Sequence, residues 1–168
     1  MNIILIGLRG SGKSILGKIL SKKLQLELID QDKVIEENEG MTIAKIVELR
    51  GWEYFRAIES KITGELTQKK NKIIATGGGV ILDPDNRKAL KQSGKVIYLY
   101  RKPEECIKYI KDDPNRPPLT NQETLEEEMK QLYKERNSLY CKTAHKIFHR
   151  SENLEKDAEE LVNSLLSK

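Results

Sequence analysis

The first residues of the chain include a glycine spacing that is typical of a polyphosphate-binding loop. This phosphate-binding loop, Gly7–Ser14, reads Gly-Leu-Arg-Gly-Ser-Gly-Lys-Ser and fits the pattern G-x-x-x-x-G-K-[S/T]. A glycine-rich turn lets successive backbone N–H groups surround phosphate oxygens, and the helix after it adds its positive end. Lys13 is expected to reach the β- and γ-phosphates, and the Ser14 hydroxyl to bind Mg²⁺. An apolar segment precedes the motif and an amphipathic one follows, so it predicts binding of a nucleoside triphosphate.

Two acidic residues, Asp30 and Asp32, follow a mostly apolar segment at 26–29. Residues two apart in an extended segment point the same way, so both are expected to face the cleft at the carboxyl end of a strand. One would hold Mg²⁺ and the other would meet a substrate hydroxyl. The alternative is that Asp32 caps a helix beginning at Lys33. The presence of the phosphate-binding loop favours the functional interpretation.

Arg56 and Glu59 lie three residues apart on a predicted helix and can meet on one face. One interpretation is a surface ion pair that contributes a few tenths of a kcal/mol. The other is that Glu59 fixes the Arg56 guanidinium so that it grips a substrate carboxylate with two hydrogen bonds. The spacing alone favours the surface ion pair.

Several classes of P-loop protein lack support in the sequence. The nearest match to the guanine-reading pattern Asn-Lys-x-Asp begins at Asn71 and lacks the aspartate. The segment at 72–76 ends in the glycine turn, residues 77–79, where many P-loop enzymes place a metal-binding aspartate. Its backbone can therefore approach a ligand closely, but it offers no carboxylate.

Apolar runs and helical spacing alternate along the chain and predict an α/β fold with a parallel sheet covered by helices on both faces. Strands are predicted at 2–6, 26–30, 72–76, 95–100 and 146–149. Helices are predicted at 13–24, 33–49, 53–69, 85–92, 103–110, 122–139 and 154–167. Residues 111–121 contain three prolines and no periodicity. The length of this segment fits a lid and an ordinary surface connection equally.

Length and composition favour one domain over residues 1–168. The 30 basic and 26 acidic residues give a net charge of +4, too small to predict nucleic acid binding. No apolar run approaches the ~20 residues that a membrane-spanning helix needs, so we expect no membrane partner. Cys106 and Cys141 have no metal-ligand spacing, which favours a reduced, cytoplasmic protein. No segment resembles a dimerisation face, so a monomer is expected.

Taken together, these motifs resemble the shikimate kinase family over essentially the whole chain. The shared elements are the phosphate-binding loop, Asp30-x-Asp32, Phe55-Arg56-x-x-Glu59, the glycine turn, Arg116-Pro117, and Glu135-Arg136-Asn137 followed by Tyr140. The resemblance implies transfer of the ATP γ-phosphoryl group to the 3-hydroxyl of shikimate, a step of the chorismate pathway toward aromatic amino acids. It also implies a three-layer P-loop kinase fold with five parallel strands and a mobile lid.

The resemblance further implies roles for individual residues, with a substrate-binding helical region at about 33–61 and the lid at about 111–121. Residues implied to bind ATP are Gly10, Ser11, Gly12, Lys13, Ser14, Ile15 and Arg116. Those implied to hold the Mg²⁺ cofactor are Ser14 and, through water, Asp30. Those implied to bind shikimate are Asp32, Arg56, Gly78, Gly79 and Arg136. The implied catalytic residues are Lys13, Asp32 and Arg116. An adenine contact is implied near 150–152 without selecting one residue.

One departure and two alternatives remain at this point. Ile15 stands where the family usually has threonine, so its backbone N–H remains but no hydroxyl does. The paired arginines also fit another small carboxylate, as in a gluconate-type sugar-acid kinase. A third possibility is a nucleotide-binding regulatory module that no longer transfers phosphate. Against that possibility, Lys13, Ser14, Asp32 and Arg116 are all present.

Overall fold

Five parallel strands form one central sheet, as the sequence predicts. The structure is a computed structural model and describes residues 1–167. The strands are β1 Asn2–Ile6, β2 Glu27–Asp30, β3 Lys72–Ala75, β4 Gly94–Tyr100 and β5 Lys146–His149. They lie side by side in the order β2-β3-β1-β4-β5, and every neighbouring pair is parallel.

Seven helices connect and cover the strands within the described residues. They are α1 Lys13–Leu24, α2 Gln31–Glu39, α3 Ile43–Gln68, α4 Pro84–Ser93, α5 Pro103–Ile107, α6 Leu125–Thr143 and α7 Leu154–Leu166. Proline opens α4 and α5, where its fixed φ and missing N–H cost nothing. None of the helices in residues 1–167 is long and apolar enough to cross a membrane.

The sheet buries both of its faces, which explains the unbroken apolar sequence of β1. Ile4 and Ile6 pack into a core with buried side chains from α2, α3, α4 and α6. Ile3 and Leu5 point to the opposite face, where α1 and α7 cover them. Because successive strand residues alternate between faces, a run of apolar residues serves two cores at once. The result is the predicted three-layer arrangement.

Several predicted helix boundaries are wrong. The predicted helix at 33–49 is divided at Gly40, after which the Thr42 hydroxyl caps α3 by accepting from the Lys45 N–H at 3.3 Å. The predicted break at 50–52 is confirmed at Gly51, whose φ of +82° and ψ of 171° are not helical and which separates two helical segments within Ile43–Gln68. The helix predicted over 103–110 ends at Ile107, and α6 begins later than predicted because Thr124 caps it.

The topology brings three loops together at one edge of the sheet. β1 is central, with β3 and β2 on one side and β4 and β5 on the other. The phosphate-binding loop follows β1, α2 begins directly after β2, and the glycine turn follows β3. The carboxyl ends of parallel strands share an edge, and ligands of open α/β sheets bind there. Residues 111–121, the predicted lid, contain no helix or strand.

Candidate active site

The phosphate-binding loop joins β1 to α1 and surrounds its own lysine. Lys13 is buried, and its ammonium group donates to the carbonyls of Gly7 at 2.9 Å and Leu8 at 3.0 Å. Burial lowers the Lys13 pKa to about 8, although the negative charge of Asp32 opposes the shift. Beneath the loop, Arg150 donates to the Ser11 carbonyl at 2.8 Å. The loop is thus held from both sides by cations.

Ser14 and Asp30, the two residues predicted to hold Mg²⁺, lie in direct contact. The Ser14 hydroxyl donates to one carboxylate oxygen of Asp30. The other carboxylate oxygen accepts from the Asp32 N–H at 3.2 Å and so caps α2. Residues 1–167 contain no group of three or more His, Cys, Asp or Glu that would cage a metal. The donors fit Mg²⁺, which is commonly held by one or two protein oxygens together with phosphates and water.

Asp32 lies in the first turn of α2, which corrects two expectations about it. The helix begins at Gln31, so the segment is not extended, and the capping residue is Asp30 rather than Asp32. Burial raises the Asp32 pKa to about 6, and the nearby carboxylates of Asp30 and Glu59 add to this effect. The positive charge of Lys13 acts in the opposite direction, because it stabilises the ionised form of Asp32. The pKa of the Asp32 carboxylate therefore lies close to neutral pH.

A second group of charges forms around Glu59. The side chain of Glu59 is 2% exposed and accepts from Arg56 at 2.6 Å, so the surface ion pair that the spacing favoured is wrong. Burial raises the Glu59 pKa, against the opposing charges of Arg56 and Arg136. Arg136 is also buried, and its Nε has no hydrogen-bond partner within residues 1–167. One buried carboxylate thus pairs with Arg56 and lies within electrostatic reach of Arg136, which leaves positive charge for an anion.

The glycine turn is packed tightly against these charges. A Cβ atom added to Gly77 would lie 2.6 Å from Oε2 of Glu59, and one added to Gly79 would overlap the Arg56 guanidinium. The Tyr140 hydroxyl donates to the Gly78 carbonyl at 2.5 Å and holds the turn from α6. Only glycines let the backbone approach these side chains so closely.

Two cavities meet at this edge of the sheet. The nucleotide cavity, of about 360 Å³, lies beside the phosphate-binding loop and Asp30. The acceptor cavity, of about 80 Å³, is lined by Arg56, Arg136 and the glycine turn. Four residues line both cavities: Arg9, Asp32, Gly78 and Arg116. The Arg116 guanidinium also pairs with Asp113, another residue of the predicted lid, at 2.8 Å.

Most of the predicted site residues line these cavities. Those beside the nucleotide cavity are Gly10, Gly12, Lys13, Ser14, Ile15, Asp30, Asp32 and Arg116. Those beside the acceptor cavity are Asp32, Arg56, Gly78, Gly79, Arg116 and Arg136. Ser11 is the exception, because its side chain is buried away from both cavities.

The sequence interpretation missed several lining residues. Arg9 occupies a variable position of the loop motif, which carries no signal of its own. The far part of the nucleotide cavity is lined by Arg101, Tyr109, Arg150, Glu152 and Leu154. Arg150 and Glu152 fall in the segment where an adenine contact was expected, and the others had no signal in the sequence.

Comparison with known proteins gives one family. The sequence profile described as "Shikimate kinase" matches residues 9–166. A shikimate kinase from Legionella pneumophila is 45% identical over 147 residues, 88% of this chain and 83% of the relative. One from Caldicellulosiruptor bescii is 44% identical over 124 residues, 74% of this chain and 72% of the relative.

A solved structure gives the same result. Shikimate kinase from Acinetobacter baumannii in complex with shikimate superposes with a TM-score of 0.93 at 37% identity, covering 98% of this chain and 92% of that one. The superposition therefore includes nearly the whole chain. The chain belongs to the shikimate kinase family.

Proposed function

We propose that the protein is an ATP-dependent kinase that transfers the γ-phosphoryl group to the 3-hydroxyl of shikimate, giving shikimate 3-phosphate and ADP. The observation that carries the proposal is the junction of the two cavities. A loop built for a polyphosphate lies on one side, a pair of arginines suited to a carboxylate lies on the other, and Asp32 and Arg116 face both. This geometry supports direct transfer between two bound substrates.

On the nucleotide side, the backbone from Gly10 to Ile15 would hold the phosphates. Lys13 would exchange its contacts with the Gly7 and Leu8 carbonyls for the β- and γ-phosphates. Ser14 and Asp30 would hold Mg²⁺, Asp30 through water. The metal would neutralise charge on the phosphate oxygens when bound.

On the acceptor side, Arg56 and Arg136 would bind the shikimate carboxylate. The buried carboxylate of Glu59 keeps Arg56 in place at 2.6 Å. The unpartnered Nε of Arg136 in the described chain supplies a donor that is already desolvated. The backbone of Gly78 and Gly79 would contact the ring hydroxyls, since these glycines line the same cavity.

Asp32 would orient the attacking hydroxyl and accept its proton. Its pKa of about 6 leaves it ionised at neutral pH and still basic enough to take a proton. Phosphoryl transfer demands mainly alignment and neutralisation of spreading negative charge, which Lys13 and Arg116 would supply. Closure of the lid would exclude water, which otherwise competes as acceptor.

The proposal includes a monomeric, cytoplasmic enzyme. Cys106 and Cys141 are free thiols, as expected in a reducing compartment. The oligomeric state is open to a direct measurement of mass in solution by light scattering.

The test is ADP release in a coupled assay with MgATP and a panel of acceptors: shikimate, gluconate, nucleoside monophosphates and none. We expect release that depends on shikimate alone. Release with another acceptor would support a kinase activity but show that the substrate is not shikimate. ATP binding without release in any reaction would favour a module that no longer transfers phosphate.

A further inference from the structure

The lid contacts both halves of the site, although it has no regular secondary structure. On the acceptor side, the Asn115 amide donates to Glu36 of α2, and its carbonyl oxygen accepts from the Ala44 N–H at 3.1 Å. This contact holds the lid immediately before Arg116. The residue that follows Arg116 must therefore be held from the other side if the guanidinium is to stay over the cavities.

That second contact begins in the phosphate-binding loop. The Arg9 guanidinium forms an ion pair with Glu128 of α6 and donates to the Pro117 carbonyl at 3.3 Å. The other oxygen of Glu128 accepts from the backbone N–H groups of Leu119, at 2.9 Å, and Thr120, at 3.2 Å. Both charged side chains are nearly buried, with 11% and 6% exposed. Two side chains thus link the nucleotide loop, the lid and α6.

The charges around Arg9 favour its ion pair with Glu128. Arg9 stands beside Arg116 and Arg136, and its burial, together with the repulsion of these two cations, lowers its pKa to about 10. Glu128 neutralises Arg9 directly. Removing one member would leave the other buried without its partner, which destabilises strongly. The pair is therefore held together when the lid lies as it does here.

We propose that Arg9 and Glu128 form a brace that positions Arg116 over the phosphates and couples the nucleotide loop to the lid. The Arg116 guanidinium pairs with Asp113 at 2.8 Å, and the chain on either side of Arg116 is held by Asn115 and, at the Pro117 carbonyl, by Arg9. In this view Arg9 is a positioning residue that acts through Arg116. The inference rests on the role of Arg116 in the proposed function.

The test combines single and double variants in the coupled assay, after shikimate-dependent turnover of the parent protein is established. Arg9→Met and Glu128→Gln are each expected to lower kcat about 10- to 100-fold, because misplacement by 1 Å has effects of this size. Arg9→Lys is expected to recover part of the loss, since lysine retains the ion pair. Exposed Lys156 and Glu160 pair on α7 at 3.9 Å, and Lys156→Met and Glu160→Gln serve as matched controls.

The decisive measurement is non-additivity with Arg116→Ala. If Arg9 acts through Arg116, adding Arg9→Met to Arg116→Ala lowers kcat less than about threefold further. Multiplying losses would overturn the brace, as would a normal kcat in Arg9→Met. Normal turnover in Arg116→Ala would instead refute the lid role in the proposed function, and the brace with it.

A second readout separates positioning from damage to the fold. Trp52 is the single tryptophan and lines the acceptor cavity, so its fluorescence reports shikimate binding. Glu128→Gln should leave the shikimate Kd within about threefold, because Glu128 lines neither cavity and Arg56 and Arg136 are untouched. A large rise in Kd would indicate general disruption and contradict the proposal. Should Arg9→Met fail to fold, Arg9→Met/Glu128→Gln removes the unpaired charge and must show the same loss of kcat.

Discussion

The nucleotide and acceptor halves of the site are built in different ways. The nucleotide half is built mainly on one continuous loop whose backbone follows β1 and opens α1, and side chains from other segments line the rest of its cavity. The acceptor half is assembled from side chains of α2, α3 and α6 around the glycine turn. Backbone amides carry no net charge and need no partner when the ligand leaves. Buried arginines and carboxylates need charged partners in the absence of ligand, and here they form a group centred on Glu59.

This difference separates two sources of function. The loop binds phosphate because its backbone conformation is fixed, so a substitution there should weaken nucleotide binding by distorting that conformation. The acceptor half binds its substrate through buried charges that are not fully neutralised. Substitutions there should therefore change both the electrostatic attraction for the substrate and the free energy of unfolding. Substitutions that affect one half and spare the other test this division.

The largest effect is expected for Asp32→Asn, at the junction of both halves. Loss of the proton acceptor should lower kcat about 10²- to 10⁴-fold, with little change in either KM. In the parent protein, kcat/KM should fall as the pH drops below about 6, because the pKa of Asp32 is raised to about 6 and the protonated form cannot accept a proton. Steady-state kinetics over pH 5–8 measure both.

Asp85→Asn is the matched control for this prediction, since Asp85 is exposed in the first turn of α4. It should leave kcat unchanged. An Asp32→Asn variant with kcat within about fivefold of the parent would remove Asp32 from the chemistry and leave only a structural role.

Arg136→Met should break the acceptor half alone. Loss of a desolvated, charge-assisted hydrogen bond should raise the shikimate KM about 100-fold, while the MgATP KM stays within about twofold. Arg56→Met should have a smaller effect, about tenfold, because the Arg56 side chain is 28% exposed and water replaces part of its contact.

Arg50→Met provides the control for these two variants, since Arg50 is exposed on α3 and lines neither cavity. Its KM for shikimate should equal that of the parent. Equal changes in both KM values after Arg136→Met would contradict a specific carboxylate contact and indicate loss of the whole site.

The two halves also differ in how much of them the sequence predicts. The phosphate-binding loop of the nucleotide half could be predicted because its residues are contiguous and their spacing alone defines the backbone, whereas Arg101, Tyr109 and Leu154 gave no signal. Helical spacing places Arg56 and Glu59 on one face, but it does not say whether that face meets solvent. Their burial depends on how α3 packs against the glycine turn. Arg9 carried no signal because its role arises only where the lid crosses the loop.

The fold shows the same limit. The central strands were predicted because residues buried on two faces give unbroken apolar runs. The edge strands β2 and β5 are partly exposed and gave weaker signals, but all five were found. The helix boundaries were less predictable: the break near Gly51 was expected and is present, whereas the break at Gly40 was not expected. Both glycines have positive φ, which glycine adopts readily, so only tertiary packing determines at which glycine a helix is interrupted.

Gly12→Ala should break the nucleotide half alone. Gly12 has φ of +90°, and an added Cβ would overlap the Arg150 guanidinium, which Asp157 fixes at 2.7 Å. We expect the MgATP KM to rise about tenfold, because a strained left-handed residue costs about 1–2 kcal/mol in the loop conformation. Shikimate binding, followed by Trp52 fluorescence, should not change.

Gly64→Ala is the matched glycine control. Gly64 lies in α3, and an added Cβ would meet no atom within 4 Å. Alanine should raise the free energy of unfolding by about 0.5–1 kcal/mol through helix propensity and leave both KM values unchanged. If Gly12→Ala behaved in the same way, the loop geometry would not be what binds the nucleotide.

The smallest expected effect is on stability, and it returns to Asp32. Its pKa is raised from 3.8 to about 6 in the folded protein, so the folded state binds more protons than the unfolded state between these values. Ionised Asp32 therefore lowers the free energy of unfolding, fully above pH 6 and not at all well below pH 4. Asn carries no charge at any pH, so Asp32→Asn should be more stable by about 1–3 kcal/mol at pH 7.5.

Thermal unfolding at pH 7.5 and pH 4 tests the sign directly. The gain in Tm, on the order of 2–4 °C per kcal/mol for a chain of this size, should shrink toward zero at the lower pH, while Asp85→Asn should show none at either. A variant less stable than the parent at pH 7.5 would mean that Asp32 is a stabilising partner of Lys13 and not a strained carboxylate. The expected result, a gain in stability together with a loss of turnover, would show that the acceptor half keeps its charge for chemistry at the expense of the fold.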